Sequence, residues 1–200
     1  VGDLKFADLN NDGKINKGDW TLANPGDFRK IGNSSNRYPY SFDLSADWKG
    51  FDIRGFFQGI GKRDWYAGGG NHYFWGIYAQ PWTNVQTHNL DHWTPETPNA
   101  YYPRVKAYIA ESTGSELACV QTRYMQDASY LRMKNLTIGY TLPQSLTQKL
   151  NIERVRFYFS GENLFEITHL KANLDPEALD SSSKVYPLQR SYSFGVNLTF

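Results

Sequence analysis

The sequence is poor in what a redox protein, a nucleic-acid binder, a membrane-helix protein or a common enzyme relies on. A single cysteine, Cys119, allows no internal disulfide. The formal net charge is only +1, which argues against a nucleic-acid partner. No apolar run approaches the ~18 residues of a membrane helix. That leaves open a membrane β-barrel, whose strands hide their apolar content by alternation. There is no Cys/His metal cluster, Gly-x-Ser-x-Gly elbow or phosphate loop, and His72, His88, His92 and His169 have no ligand-spaced partner. Glu111 and Glu116 read as solvated loop charges, so no enzyme is expected. The chain opens at Val1 with neither a methionine nor a signal peptide, as a mature or cut-down piece would.

Aromatic residues, by contrast, make up 16% of the 200 residues, and many fall in segments of period two. In YPYSFDLSADWKG, Tyr40, Phe42, Leu44, Ala46 and Trp48 alternate with Ser41, Asp43, Ser45, Asp47 and Lys49. A tight turn at Lys49-Gly50 leads into FDIRGFFQGI, with Phe51, Ile53 and Phe57 opposing Asp52, Arg54 and Gln58, so a hairpin is predicted. YLRMKNLTIGYT, RVRFYFSGEN and RSYSFGVNLTF repeat the pattern. Strands of about ten residues, tilted by ~45°, rise about 23 Å, the height of an outer-membrane barrel's apolar band. Aromatic strand ends, among them Tyr40, Trp48, Tyr130, Tyr140 and Phe200, suit an interfacial girdle. A soluble β-sandwich alternates too, and stands as the other reading. Connections are asymmetric: Lys49-Gly50 and LPQSLTQKLNIE are compact, the latter with a helical turn expected over 144–150, while 61–128 and 164–189 are long.

DLNNDGKINKGD, residues 8–19, has the oxygen spacing of an EF-hand loop. Asp8, Asn10 and Asp12 occupy positions 1, 3 and 5, Gly13 makes the sharp turn, Lys14 supplies a backbone carbonyl, and Asn16 and Asp19 occupy positions 9 and 12. These residues are the expected Ca²⁺ ligands, with Asn16 acting through a water. Asp19 stands where a longer, bidentate Glu is usual. No helical period flanks the loop, so a structural, metal-stapled loop is expected. An ion-free surface loop of Asx turns would show the same residue types.

Residues 61–128 hold many rings amid Gly, Asn and Pro, among them Trp65, Tyr73, Trp75, Trp82 and Trp93. Such rings offer a large rigid face with a polar tip. They can contact a substrate, contact a partner, or form the loop's own small core.

The run GDLKFADLNNDGKIN, then FDLSADWKGFDIRGFFQGIG, ASYLRMKNLTIGYTLP, RFYFSGENLF, DPE and the ending RSYSFGVNLTF resembles the C-terminal part of the SusC/RagA-like TonB-dependent outer-membrane transporters of Bacteroidetes. The resemblance covers nearly the whole chain and is weakest over 61–128. It implies an all-β fold, in which about five antiparallel strands belong to a large outer-membrane β-barrel with long extracellular loops. It further implies import of oligosaccharides or peptides, a SusD-like surface lipoprotein as lid, contact with outer-membrane lipid, and a TonB system engaged through an N-terminal part absent from these residues.

The expected organisation is an extracellular loop with the calcium site at 1–39, a barrel hairpin at 40–60, a long extracellular loop at 61–128, and three barrel strands in 129–200 with a second outer loop at 164–189. Short turns then face the periplasm. The alternative function is a soluble, calcium-stabilised, β-rich carbohydrate-binding or adhesion module.

Overall fold

The computed structural model describes residues 1–179, 186 and 188–200. The chain forms two compact units, one built from Ser34–Asp64, Gln126–Ala178 and Tyr186–Phe200, the other mainly from Val1–Asn33 and Trp65–Met125. Part of the expected second outer loop, 180–185 and 187, lies outside the described residues.

The first unit is an antiparallel sheet of five long strands in sequential order: β1 (Arg37–Trp48), β2 (Phe51–Lys62), β3 (Tyr130–Thr141), β4 (Arg154–Thr168) and β5 (Ser191–Thr199). The five-stranded antiparallel fold read from the alternation is thus borne out. Lys49 and Gly50 join β1 to β2 with φ of +48° and +87°. Positive φ at both central residues gives the turn whose twist matches the strands, and glycine accepts it without a Cβ penalty. The compact connection after β3 contains a helical turn, Gln144–Thr147, which tightens into a 3₁₀ turn at Gln148–Leu150.

Cross-strand register places side chains of like character in rows. Trp48 pairs with Phe51, Phe51 with Tyr140, Tyr140 with Phe157 and Phe157 with Val196. The adjacent row runs Ala46, Ile53, Ile138, Phe159, Phe194. Rings meet across the strands of this face, with centroids 4.5 Å apart for Phe51 and Tyr140 and 4.7 Å for Phe42 and Phe57 of a further row. This apolar face is open: Leu44 is 59% exposed, Trp48 68% and Phe194 82%.

The opposite face is polar and internally paired. Arg54 Nη2 donates to Asp43 Oδ2 at 2.7 Å, Arg156 Nε to Asp52 Oδ1 at 2.8 Å, and the Thr137 and Ser160 hydroxyls lie 3.4 Å apart.

Two irregularities break the period. The β2–β3 register shifts between Phe56 and Phe57, and the β3–β4 register shifts between Met133 and Asn135. In the second, Asn163 takes φ +52° and β4 continues to Thr168, pairing Phe165 with Met133 and Ile167 with Leu131. The alternation breaks after Glu162 because Asn163 and Leu164 interrupt it; the strand itself does not stop, and Phe165 and Ile167 resume on the face of Phe157 and Phe159.

The second unit has an aromatic centre. A short helix at His72–Trp75 is capped by Asn71, whose side chain accepts from the Phe74 N–H at 3.0 Å, and it runs on into a 3₁₀ turn at Gly76–Tyr78. Phe74, Trp75, Tyr78 and Tyr124 are fully buried and Tyr102 nearly so. No helix among the described residues is long and apolar enough to cross a membrane.

Candidate functional site

The loop at 8–19 folds through its own side chains. Asp8 accepts the Asn11 N–H on Oδ1 at 2.6 Å and the Gly13 N–H on Oδ2 at 2.8 Å. Asn10 Oδ1 accepts the Asp12 N–H at 3.1 Å, and Asp12 Oδ1 accepts the Lys14 N–H at 2.8 Å. The amides of Asn10 and Asn16 both point at Asp12 Oδ2, at 3.1 and 3.4 Å.

Three of the expected ligands therefore converge on one point. An oxygen-liganded cation at that point would need both amides to make a half-turn, which releases the bonds that Asn10 Oδ1 and Asn16 Oδ1 accept from the Asp12 and Gly18 N–H groups at 3.1 and 2.7 Å. Asp19 is placed elsewhere, its Oδ2 accepting from Asn24 Nδ2 at 2.7 Å. Among the described residues no group of three or more His, Cys, Asp or Glu side chains is gathered for a metal; the convergence at Asp12 consists of one acid and two amides.

Asp27 is the loop residue that the sequence reading passed over. Its Oδ1 accepts the Leu9 N–H at 2.6 Å and its Oδ2 the Asn16 N–H at 2.7 Å, which ties the two ends of the loop together. Those backbone donors, Leu9 first, hold its carboxyl below the usual carboxylate range. The signal lay in NPGD, a Pro-Gly turn delivering an acid back to the loop.

The rings of 61–128 separate by burial. Trp65 and Trp75 belong to the loop's own core, Trp75 with no exposure and its indole N–H shared between the Ala67 and Gly68 carbonyls at 3.0 and 3.1 Å. Tyr73 is 36% exposed, and its carbonyl lies 2.9 Å from His88 Nε2. Trp82 is 71% exposed and meets Tyr108 edge to face, with centroids 6.1 Å apart. The buried phenols donate to backbone carbonyls: Tyr78 to Pro103 at 2.7 Å, Tyr102 to Phe74 at 3.1 Å and Tyr124 to Tyr101 at 3.0 Å. Burial pushes all three phenol pKa values up, that of Tyr124 to about 12.

Trp93 is half-buried and lines a cavity of about 1440 Å³ within the same unit. Apolar Leu4, Phe6 and Phe28 share its wall with charged Lys5, Arg29 and Arg123. A salt-bridge chain borders it: Asp3 to Arg104 at 3.1 Å, Asp3 to Lys106 at 2.7 Å, and Lys106 to Glu116 at 2.7 Å. The Lys106 hydrogen bond leads in holding the Asp3 carboxyl below its ordinary range.

A sequential antiparallel sheet with one open aromatic and aliphatic face and one ion-paired polar face has the pattern of a barrel wall. Comparison with known proteins agrees. The chain is 29% identical to TonB-dependent receptor P3 of Formosa agariphila over 98% of its own length, and 25% identical to TonB-dependent receptor P26 of the same organism over its full length. It covers 19% and 20% of those receptors, so the chain spans about a fifth of its relatives. Among solved structures it is similar to the RagAB peptide transporter (TM-score 0.57, 26% identity, covering 80% of this chain and 17% of that one). The RagAB peptide importer in its open-open state is also similar (TM-score 0.58, 29% identity, covering 81% and 17%). No family model matches. The chain is thus similar to TonB-dependent receptors and to the RagAB transporter, in line with the resemblance of its motifs, and its sheet matches part of such a transporter's barrel.

Proposed function

We propose that the chain is a barrel-wall and loop segment of a TonB-dependent outer-membrane transporter that imports peptides or oligosaccharides under a SusD-like surface lipoprotein. The observation that carries this reading is the sheet's division into two faces. Rows such as Trp48–Phe51–Tyr140–Phe157–Val196 suit contact with lipid, while the paired charges of the other face suit a polar lumen. Aqueous exposure of so many large side chains would drive association, which counts against the soluble-module reading.

In the proposed setting the short connections at Lys49-Gly50 and 142–153 face the periplasm and the long ones face outward. The outward loops carry the exposed Trp82 and the cavity beside Trp93, which offer stacking and polar contacts to a sugar, peptide or lid protein. The 8–19 loop takes a structural Ca²⁺ on Asp8, Asn10, Asp12 and the Lys14 carbonyl. Asn16 acts through a water, and Asp19 contributes once it leaves Asn24.

The test uses the full-length protein that carries this chain, in a Cys119→Ala background, reconstituted in phosphatidylcholine vesicles. A fluorophore on Phe194→Cys should be quenched by doxyl-labelled lipid, and one on Tyr158→Cys should not. Equal quenching at both sites, or none at Phe194→Cys, rejects the barrel-wall assignment.

A further inference from the structure

Arg132 is a cation on the polar face of β3 with only 2% of its side chain exposed. A guanidinium so far removed from water must be matched by acceptors, because isolated burial of a charge is severely unfavourable. Its partners come mainly from the DPE turn beyond β4. Asp175 lies at 2.8 Å and Glu177 at 3.3 Å, with Glu166 of β4 more distant at 3.8 Å.

Asp175 does more than neutralise Arg132. Its Oδ1 also accepts the Glu177 N–H at 3.0 Å, and its Oδ2 accepts the Leu188 N–H at 3.1 Å, so one carboxylate gathers the outgoing and the returning legs of the connection. Pro176 between them is fully buried. Glu177 makes a second anchor, to Lys134 Nζ at 2.8 Å.

These anchors fix the direction in which the turn runs. The β3–β4 ladder ends at Tyr130 and Thr168, and Lys134 lies four residues inward from that end, ~13 Å along the strand. Glu177 contacts Lys134 and Arg132 together, and Arg132 is closed off from water, so the turn lies over this face instead of projecting beyond the strands. From these contacts we propose that Leu174–Ala178 is a strap folded back over the polar face of the sheet, and that Arg132 is the positioning residue that latches it there.

The consequence for transport rests on the reading that this face lines a barrel lumen. The strap then narrows the passage on its outward side. Ser160, opposite Thr137 on the same face, lies beyond the strap as seen from the long-loop end. Passage of a bulky solute to Ser160 is therefore restricted by the latch, while a small solute reaches it in either state.

The experiment uses the full-length protein in cells, again with Cys119→Ala. A Lys134→Cys/Glu177→Cys pair should be cross-linked rapidly by a short bifunctional thiol reagent that spans the length of the native salt bridge; no cross-link overturns the strap. A single Ser160→Cys is then labelled from outside with a small sulfonate thiosulfonate reagent and with a bulky PEG-maleimide. Arg132→Met should raise the bulky reagent's rate by about tenfold and leave the small reagent's rate within about twofold, as expected for local opening without global unfolding. Equal acceleration of both, or of neither, overturns the latch. If Arg132→Met fails to reach the membrane, Asp175→Ala serves in its place. The cross-linking result is independent of the Phe194→Cys lipid test: no cross-link with a quenched Phe194 probe removes the strap alone, whereas a cross-link with an unquenched probe removes the barrel-wall reading and its lumen.

Discussion

Asp52 on β2 and Arg156 on β4 are bound to each other across the strand between them. Arg156 Nε donates to Asp52 Oδ1 at 2.8 Å, and the pair passes over Gly139 of β3, the register partner of both Asp52 and Tyr158. A Cβ on Gly139 would meet the guanidinium and the carboxylate directly. The two side chains are only 16% and 29% exposed, so the pair is shielded enough to matter energetically. Gly139→Val should pry it apart, at a cost of about 1–3 kcal/mol for a hydrogen bond between charged groups. Thermal unfolding of the full-length protein in detergent should show Gly139→Val and Asp52→Ala lowering the midpoint alike, with little further loss in the double variant.

Burial sorts the tryptophans of 61–128 by consequence. Trp75 is fully buried, and its ring packs edge to face on Phe74 and Tyr124 with centroids 4.7 and 5.3 Å apart. Trp75→Ala should cost about 3–5 kcal/mol and loosen residues 65–125. Trp82→Ala, at a 71% exposed site, should leave stability within about 0.5 kcal/mol. Hydrogen exchange of the Trp75 and Ala110 amides reads the difference.

What the sequence made visible follows from range. The strand faces were legible because period two is local: each of Phe42, Phe57, Ile138 and Phe194 declares its side through its immediate neighbours. The irregularity at Asn163 hid the last third of β4, since Gly161, Asn163 and Leu164 interrupt the apolar alternation before Phe165 and Ile167 resume it on the face of Phe157 and Phe159. In the calcium-type loop the spacing of Asp8, Asn10 and Asp12 was local and visible. Asp27 closes the loop from 18 residues beyond Leu9, and no short motif displays a contact of that range. Arg132 looked like one more polar residue of a strand; only the fold brings Asp175 to it, across 43 positions.

The buried phenols predict a delayed titration. Desolvation raises the pKa of Tyr66, Tyr78 and Tyr102 as well as that of Tyr124, which it carries to about 12. Their neutral forms are favoured by the fold, so stability holds below the unfolded value near 10 and falls as pH rises through the folded values. Ultraviolet titration should show these four ionising late, only as the unit opens. Complete ionisation of all tyrosines by pH 11 with retained circular dichroism would contradict the packing described.

Asp175 sets an acid limit on the turn at 174–178. Burial pushes its carboxyl up, but the hydrogen bond from Arg132 and the N–H groups of Glu177 and Leu188 together bring it below its ordinary value of 3.8. A depressed folded pKa means stability that is fully present above the unfolded value and lost as pH falls through the folded one. Protection of the Glu177 and Leu188 amides should therefore be the same at pH 7 and pH 5 and decline only below about 3.8. Asp175→Asn should abolish that pH dependence, because the amide carries no charge to lose.

The loop at 8–19 should respond to Ca²⁺ through Asp12 directly and through Asp27 indirectly. Asp12 is where the Asn10 and Asn16 amides converge, so Asp12→Ala removes the charge at the centre of the proposed site. Asp27 is not among the proposed ligands but fixes Leu9 and Asn16 at the loop's two ends, so Asp27→Ala leaves every ligand in the chain while freeing their spacing. Extracellular modules of this kind bind with Kd ~10⁻⁴–10⁻³ M, and ~1 mM calcium then stabilises the folded loop by about 1 kcal/mol. Calcium titration followed by calorimetry should show Asp12→Ala abolishing binding and Asp27→Ala weakening it by about tenfold. Magnesium should compete poorly, since its near-ideal octahedral demand suits a flexible amide-rich loop less well. Unchanged thermal midpoint and amide exchange with chelator, in the unsubstituted protein and in both variants, would assign residues 8–19 to an ion-free loop held by its Asx turns and by Asp27.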